Sequence, residues 1–340
     1  MKLGLIVDGH WGFIRDLLVD WQSHYPTRVF SFKPSVLPFG KGLVNQWRIK
    51  LSLTKFLNAN EIVVFEWAGP LLVIASHLKT KARICVRLHS YELIDFAPRI
   101  DWNSVERVVL VSSAMQRRFC ELYPTISNKT TVVYNGVDLA KFATNERQFA
   151  GVIGMLGNII PIKRVYEVIL ALYELNRNGH RLSLRIAGPT EQGEEPERYY
   201  LALQRVVRQL GLTSQISFVG AVTDPASFLK NIDIFVSNSF WEGQQVALLE
   251  AMASGCYCLS HFWDGAEEVL PTDYLFVTDT ELREKILAYC AMSEPERCQH
   301  QARMRSISCE KFDVELTKAR FRQLINDIDA VSSKQNDRLK

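Results

Sequence analysis

The sequence predicts an α/β protein with two doubly wound, Rossmann-like domains that face a cleft. Two observations support this prediction. Short apolar runs rich in Val, Ile and Phe alternate with amphipathic stretches, which is typical of parallel sheets covered by helices on both faces. The chain of 340 residues is also too long for one core, and the alternation restarts after a polar segment at Phe142–Ala150. Because such sheets bind ligands beyond the carboxyl ends of their strands, we expect the functional site there.

The predicted boundaries are 1–145 for the first domain, 146–310 for the second and 311–340 for a C-terminal helix that packs back toward the first domain. Strands are predicted in the first domain at Leu3–Val7, Arg28–Phe32, Glu61–Phe65, Arg83–Leu88, Arg107–Val111 and Thr131–Tyr134. Helical patterns in it include Phe13–His24 and Ser113–Leu122. Strands are predicted in the second domain at Val152–Leu156, Leu182–Ala187, Ile216–Val219, Ile232–Val236 and Tyr257–Ser260. Its helices are predicted at Lys163–Asn178, Pro196–Leu210 and Gln245–Ser254, and the chain is mostly helical from about Asp279.

Composition and charge exclude several classes of protein. A hydrophobic fraction of 47% and a charged fraction of 23% are typical of globular rather than disordered chains. Residues 1–145 carry 18 basic and 11 acidic side chains, a net charge of +7, whereas residues 146–340 carry 22 and 26, a net charge of −4. The basic half favours an anionic partner, although a solvated basic surface explains it equally well. No basic–aromatic motif is present, so we expect no nucleic-acid partner.

Cysteine usage and hydropathy predict a cytoplasmic location. The seven cysteines are scattered and lack zinc-site spacing, which favours reduced thiols and no metal site. No small-residue cleavage site follows the first apolar strand, and Glu66, Gly69 and Pro70 interrupt the most apolar stretch, so we expect neither a secretory signal nor a membrane span. The basic, amphipathic segment 41–57 suggests peripheral contact with an anionic membrane, and an ordinary domain helix is the alternative.

Two strand ends in the first domain carry candidate contacts. Gly9 and Gly12 follow the first strand and precede a helix, where backbone N–H groups can approach an anion or a sugar. The G-x-G-x-x-G fingerprint of dinucleotide sites is absent, and a tight turn is the alternative. His89 ends the fourth strand, so it is placed to donate to a ligand hydroxyl or to help position a leaving group, with a structural histidine as the alternative.

The second domain offers candidate contacts for a diphosphate at three strand ends. The residues are Gly157, Asn158, Lys163, Arg164, Gly188 and Gly220. A cation at a strand–helix junction, next to unpaired backbone N–H groups, suits a diphosphate. Three glycine-marked strand ends supply enough backbone to hold a nucleotide, although each alone is also typical of a turn.

The segment 239–255, SFWEGQQVALLEAMASG, carries two glutamates around the start of a helix. Glu242 lies before the helix and Glu250 lies on its inner side, where a carboxylate needs hydrogen-bond donors. The two hydroxyls of a ribose supply such donors to Glu250, and Glu242 can then reach a group attached farther along. Backbone N–H groups between them can meet phosphate or sugar oxygens, which adds Gly243, Gln244, Gln245 and Val246 to the candidate donor contacts. The alternative is a helix-start charge at Glu242 and a buried Lys or Arg partner for Glu250.

These motifs together resemble the retaining, nucleotide-sugar-dependent glycosyltransferases of GT-B fold, in the group 1 or family 4 type. The segment from Glu242 to Gly255 is similar to the family's E-x₇-E signature with its E-A-M-A-x-G tail. Residues 134–138 (YNGVD) and 231–239 (NIDIFVSNS) are similar to two further family segments, and His89 falls where the family has a cleft histidine.

The resemblance implies roles for the candidate residues. Glu250 is expected to bind the ribose, Glu242 the donor sugar and Lys163 the diphosphate, while His89 contacts the donor sugar and Gly9 to Gly12 line the cleft. It also implies that the leaving diphosphate takes the acceptor proton, with no metal or other cofactor. Three positions differ from the family pattern: Asn158 replaces an arginine, with Arg164 as a candidate substitute, and Gln244 and Gln245 replace an aromatic residue and a glycine.

The sequence therefore predicts a cytoplasmic, metal-independent glycosyltransferase in surface polysaccharide or glycoconjugate synthesis. It would move a sugar with retention from a nucleotide-diphosphate donor to a hydroxyl of a glycan or lipid-linked acceptor. The main alternative is a GT-B protein that binds a glycan or a partner with weak or no transferase activity, and Asn158 and Gln245 motivate it. A nucleotide-sugar epimerase of similar architecture is a third hypothesis.

Overall fold

The computed structural model describes residues 1–32, 41–144, 148–190 and 193–337, which form two compact units. Unit 1 comprises Met1–Asn135 and Glu315–Lys340, and unit 2 comprises Gly136–Val314. Parts of four predicted segments lie outside the described residues: the side chain of residue 13 in the first helical pattern, the side chains of residues 41–43 in the basic segment, residues 145–147 in the linker, and the side chains of residues 331–337 with all of 338–340 at the C-terminus.

Unit 1 contains a six-stranded parallel sheet within its described residues. The strands are β1 (Leu3–Val7), β2 (Thr27–Val29), β3 (Ile62–Glu66), β4 (Arg83–Leu88), β5 (Val105–Leu110) and β6 (Thr130–Val132). Their order is β2-β1-β3-β4-β5-β6. The strand predicted at Arg28–Phe32 is present, but it is a three-residue strand at the edge of the sheet, because only Thr27–Val29 pair with β1.

Helices connect these strands and cover both faces of the sheet. They are α1 (Arg15–His24), α2 (Lys41–Asn58), α3 (Pro70–Ser76), α4 (Glu92–Asp95) and α5 (Ser113–Leu122). Successive residues of a strand point to opposite faces, so Val63 and Phe65 pack in one core with α2, α3 and α5, whereas Ile62 and Val64 pack in the other with α1. No helix within the described residues is long and apolar enough to span a bilayer.

Unit 2 has a second six-stranded parallel sheet within its described residues. The strands are β7 (Val152–Leu156), β8 (Ser183–Ala187), β9 (Ile216–Gly220), β10 (Ile234–Ser237), β11 (Tyr257–His261) and β12 (Leu275–Phe276). The helices are α6 (Val165–Arg177), α7 (Glu194–Gln209), α8 (Pro225–Leu229), α9 (Val246–Ala253), α10 (Ala266–Val269), α11 (Asp279–Ala291) and α12 (Glu294–Lys311). The strand order is β12-β11-β10-β7-β8-β9, so strand order reverses between β7 and β10.

The chain passes between the units at residues 135–136 and 314–315, and the first of these points lies before the predicted boundary at 145. Val137 explains the earlier position, because its backbone pairs with unit 2: its N–H donates to the Phe312 carbonyl (2.8 Å), and its carbonyl accepts from the Val314 N–H (3.1 Å). The last helix, α13 (Val314–Asp337), buries Phe321, Ile325 and Ile328 in the unit 1 core beside α1.

Candidate functional site

The reversal of strand order in unit 2 places one candidate site at the carboxyl ends of β7 and β10, where doubly wound sheets bind ligands. A small cavity of about 10 Å³ with both apolar and polar lining residues lies there, with room for about one water molecule. Its lining includes Gly157, Asn158 and Lys163 after β7, and Asn238, Ser239 and Gln245 after β10. The structure thus brings together residues that the sequence placed at separate strand ends.

The three glycine-marked strand ends meet at this edge because β7, β8 and β9 are neighbours. Gly157, Gly188 and Gly220 have φ values of +147°, +145° and +77°, which disfavour any residue with a Cβ. A Cβ on Gly188 would lie 1.8 Å from the Gly157 carbonyl oxygen. Glycine at 188 is therefore required both by its backbone conformation and by the close approach of the β7 loop.

Lys163 lies at the end of a 3₁₀ turn, Pro161–Lys163, instead of in the predicted helix, and α6 begins at Val165. Its Nζ forms an ion pair with Glu242 Oε1, and both side chains are mostly buried. The sequence assigned Lys163 to a diphosphate and Glu242 to the attached sugar, and these two side chains are direct neighbours.

Arg164, the candidate substitute cation, is not part of the cavity lining within the described residues. It adopts a left-handed conformation (φ +50°), and the Asn238 side-chain amide donates to its carbonyl at 2.9 Å. Its guanidinium approaches Glu167 (3.4 Å) and Asp279 (3.5 Å). Lys163 is therefore the cation that the cavity presents among the described residues.

The loop between β10 and α9 is tightly packed around Gln245, whose backbone caps α9 at its N-terminus. Its side-chain carbonyl accepts a hydrogen bond from the buried Ser237 hydroxyl. Gln244 is also buried, while Gly243 precedes the helix and Val246 is its first residue. The bulky amide of Gln245 is thus held against β10.

Glu250 lies in the second turn of α9 and is half-buried. Burial raises the pKa of its carboxyl to about 7, and the positive charge of Lys141 opposes this rise. The carboxylate forms no hydrogen bond or ion pair with a described residue, unlike the alternative in which a buried Lys or Arg holds it. A carboxylate in this state is suited to accept hydrogen bonds from a ligand.

In unit 1 the corresponding reversal of strand order lies between β1 and β3, and His89 follows β4 beside it. His89 Nε2 is 2.9 Å from the Oε1 atom of the fully buried Glu66, which also pairs with Arg87 at 3.4 Å. Burial favours the neutral form of Glu66, but Arg87 and His89 outweigh it and hold the pKa of Glu66 below its usual value. Sequence reasoning did not assign Glu66 to the site, although an acid at the end of an apolar strand was a signal for it.

Trp67 connects His89 to the glycine segment after β1. Its ring stacks on His89 with centroids 4.0 Å apart, and its indole N–H donates to the His10 carbonyl at 3.2 Å. The backbone of Trp67 is left-handed (φ +82°), a strained conformation for a large side chain. A Cβ on Gly9 would lie 2.8 Å from the Trp67 ring, whereas a Cβ on Gly12 would meet nothing within 4 Å. Packing therefore explains the glycine at 9 but not the one at 12.

Two family models match this chain, over consecutive parts of it. Residues 16–141 match the Glycosyltransferase Family 4 model, and residues 150–291 match the model described as Glycosyl transferases group 1. The chain belongs to the GT-B glycosyltransferases. The glycosyltransferase group 1 match includes all the candidate residues of unit 2, from Gly157 to Glu250.

Curated relatives of this glycosyltransferase are distant. The putative glycosyltransferase EpsF of Bacillus subtilis (strain 168) is 27% identical over 192 residues, 53% of this chain and 45% of the relative. The UDP-Gal:alpha-D-GlcNAc-diphosphoundecaprenol alpha-1,3-galactosyltransferase of Escherichia coli is 29% identical over 145 residues, 38% of this chain and 36% of the relative. The matches thus span less than half the length of either relative.

Solved structures show the same fold over nearly the whole chain. Anabaena HepE in complex with UDP has a TM-score of 0.78 at 19% identity, covering 96% of this chain and 99% of that one. Sucrose-phosphate synthase from Thermosynechococcus elongatus has a TM-score of 0.77 at 13% identity, covering 97% and 100%. The GT-B fold predicted from the sequence is confirmed.

Proposed function

We propose that this glycosyltransferase moves a sugar, with retention of its anomeric configuration, from a nucleotide-diphosphate donor to a hydroxyl of a glycan or lipid-linked acceptor. The product would belong to a surface polysaccharide or glycoconjugate. One observation carries the proposal: Gly157, Lys163 and Gln245 line one cavity where strand order reverses in unit 2, and Glu242 pairs with Lys163 there. The UDP in the HepE structure and the diphosphoundecaprenol acceptor in the name of the Escherichia coli relative support these substrate classes.

In this proposal the residues divide the donor between them. Glu250 accepts hydrogen bonds from the ribose hydroxyls, and Lys163 neutralises the diphosphate beside the backbone of Gly157. Glu242, the partner of Lys163, contacts the transferred sugar. In unit 1, His89 and the backbone of Gly9 to Gly12 remain candidate contacts for a sugar or phosphate.

The proposed reaction needs no separate base. The bond between the anomeric carbon and the distal phosphate oxygen breaks, while the acceptor oxygen bonds to that carbon on the same face. The acceptor proton passes to the departing phosphate oxygen. Because negative charge grows on the diphosphate, the Lys163 ammonium and nearby N–H groups supply the main stabilisation. We propose that neither a metal ion nor another cofactor takes part.

Incubation of the purified protein with UDP-, GDP- and ADP-sugars, with and without EDTA, tests this function. We expect release of the nucleoside diphosphate from at least one donor, at a rate that EDTA does not change. With an acceptor present, the anomeric proton of the transferred sugar should show the same NMR coupling in the product as in the donor, which indicates retention. Glu242→Gln should impair transfer more than nucleotide binding, and Glu250→Gln should weaken nucleotide binding. Absence of binding and hydrolysis with every donor would reject the proposal, and isomerised sugar without acceptor would indicate an epimerase.

We also propose that the protein acts in the cytoplasm, in contact with the inner face of an anionic membrane through α2. Trp47 and Leu51 are exposed one turn apart on this helix, beside the exposed cations Arg48, Lys50 and Lys55. Sedimentation with vesicles of phosphatidylcholine, with or without phosphatidylglycerol, tests this contact. Equal sedimentation in both cases would reject it.

A second candidate is a GT-B protein that binds its ligand with little or no turnover. Lys163 and Glu242 are already paired, and Asn158 occupies the place where the resemblance implies a second phosphate cation. A nucleoside diphosphate bound without turnover of any donor, in the presence of candidate acceptors, would favour this function.

A further inference from the structure

Gln245 lies at the cavity of unit 2 in an arrangement that the family resemblance does not explain. Its carbonyl oxygen accepts from the Ser237 hydroxyl, and both side chains are more than nine-tenths buried. The amide nitrogen of Gln245 has no hydrogen-bond partner among the described residues. Since Ser237 fixes the carbonyl end of this side chain, the two N–H donors of the amide are oriented as well.

Two residues of the same cavity lining carry buried polar atoms that have no hydrogen-bond partner among the described residues. Asn238 Oδ1 and Ser239 Oγ are buried and unpaired, and their residues are 1% and 0% exposed. An unpaired buried polar atom is costly, so such atoms in a native site indicate a bound ligand or water. The Ser239 hydroxyl can donate to a phosphate oxygen, whereas Asn238 Oδ1 only accepts and suits a water or hydroxyl. The cavity admits only a group of about the size of one water molecule or one phosphate oxygen.

Lys163 supplies the cation that a phosphate oxygen at the opening of this cavity would meet, in place of part of its contact with Glu242. Lys163 lines it, while the guanidinium of Arg164 is directed to Glu167 and Asp279. Because Glu242 pairs with Lys163 and is proposed to contact the transferred sugar, this end corresponds to the sugar-bearing end of the proposed donor. A neutral N–H donor here would partly replace the cation that Asn158 does not supply.

We propose that the Gln245 carboxamide donates a hydrogen bond to the distal phosphate group of the donor diphosphate, and that Ser237 is its positioning residue. The inference rests on the proposed function, because it assigns a contact to the same nucleotide-sugar site. It makes Gln245 a determinant of diphosphate over monophosphate binding.

Calorimetric titration with nucleoside diphosphates and monophosphates (UDP and UMP, GDP and GMP, ADP and AMP) tests the assignment. Gln245→Met keeps the length of the side chain but removes the donor, and it should weaken diphosphate binding about tenfold. Gln245→Glu still accepts from Ser237 but replaces the donor with a negative charge, so it should weaken binding further. Ser237→Ala should weaken diphosphate binding about threefold. In all three variants the monophosphate affinity should stay within about twofold of that of the unaltered protein.

The outcomes separate the two proposals. If the unaltered protein binds no nucleoside diphosphate, both this inference and the proposed function are rejected. If it binds but Gln245→Met binds equally well, only the inference is rejected, and Gln245 is a packing residue. Equal weakening of diphosphate and monophosphate would also overturn the assignment. Thermal unfolding of each variant, together with its monophosphate affinity, checks that the site remains folded.

Discussion

Glu250 gives a prediction that joins stability to the proposed function. Its carboxyl is half-buried in α9 and has no described hydrogen-bond or ion-pair partner, and burial raises its pKa from 4.5 to about 7. An acid whose pKa is higher in the folded state binds its proton more tightly there than in the unfolded state. Its stabilising contribution is complete below about pH 4.5, declines between pH 4.5 and 7, and is absent above that range.

The magnitude follows from this pKa change. One pKa unit, a tenfold change in the proton dissociation constant, corresponds to 1.36 kcal/mol. The rise of the Glu250 pKa from 4.5 to about 7 therefore means that its ionisation lowers the free energy of unfolding by about 3 kcal/mol at pH 8. At pH 5 the same calculation gives a loss of free energy of unfolding of less than about 1 kcal/mol. Glu250→Gln removes the charge and nearly keeps the shape, so it should stabilise the ligand-free protein at pH 8 and change it little at pH 5.

Differential scanning calorimetry checks this prediction, because it can separate the transitions of the two units. For a unit of this size, about 3 kcal/mol corresponds to a rise of about 6–12 °C in the Tm of unit 2 at pH 8. The same variant should lose nucleoside diphosphate affinity, because the amide cannot accept both ribose hydroxyls in the way a carboxylate does. Parallel Tm profiles for the variant and the unaltered protein between pH 5 and 8 would refute the argument.

Three further predictions concern packing and charge. Gly188→Ala should destabilise unit 2 by about 3 kcal/mol or more in thermal unfolding, since its Cβ would clash with a backbone carbonyl at 1.8 Å, while Gly12→Ala in unit 1 should change little. Glu66→Gln should lower the free energy of unfolding by about 3–5 kcal/mol, because it removes the buried negative charge that pairs with Arg87 and His89. The pKa of Glu66 is lowered on folding, so its contribution to the free energy of unfolding is present above pH 4.5 and lost below it. In urea unfolding, the free energy of unfolding should therefore change less between pH 7 and pH 3.5 in the variant than in the unaltered protein. Lys163→Ala should weaken nucleoside diphosphate binding at least about tenfold and monophosphate binding less. Equal diphosphate affinities of the variant and the unaltered protein in calorimetric titration would contradict the diphosphate contact of Lys163.

Much of the fold could be predicted from periodicity. Buried parallel strands such as β3 and β10 appear as short apolar runs, and the helices between them carry one apolar face, so element type and order follow from local patterning. Errors occurred where local patterning is weak. The helix predicted at 163–178 included Lys163. In the structure Arg164 adopts a left-handed conformation and separates the turn that contains Lys163 from α6.

The candidate site was predictable in its residue types more than in its contacts. The Glu242–Glu250 spacing and the glycines were visible because each stands at a strand end or a helix start. The contacts of Gln245 with Ser237 and of His89 with Glu66 could not be predicted, because each joins residues from different parts of the fold. Periodicity carries no information about which strand ends become neighbours.

The sequence by itself determined the two parallel sheets, the strand ends that carry glycine, and the membership suggested by the E-x₇-E segment. Tertiary structure decided the strand order, and with it the meeting of β7 and β10 where Lys163 pairs with Glu242. It also decided the charge state of Glu250 and Glu66. Both are acids in apolar surroundings, but only Glu66 has Arg87 beside it, so burial raises the pKa of Glu250 while the neighbouring charge lowers that of Glu66.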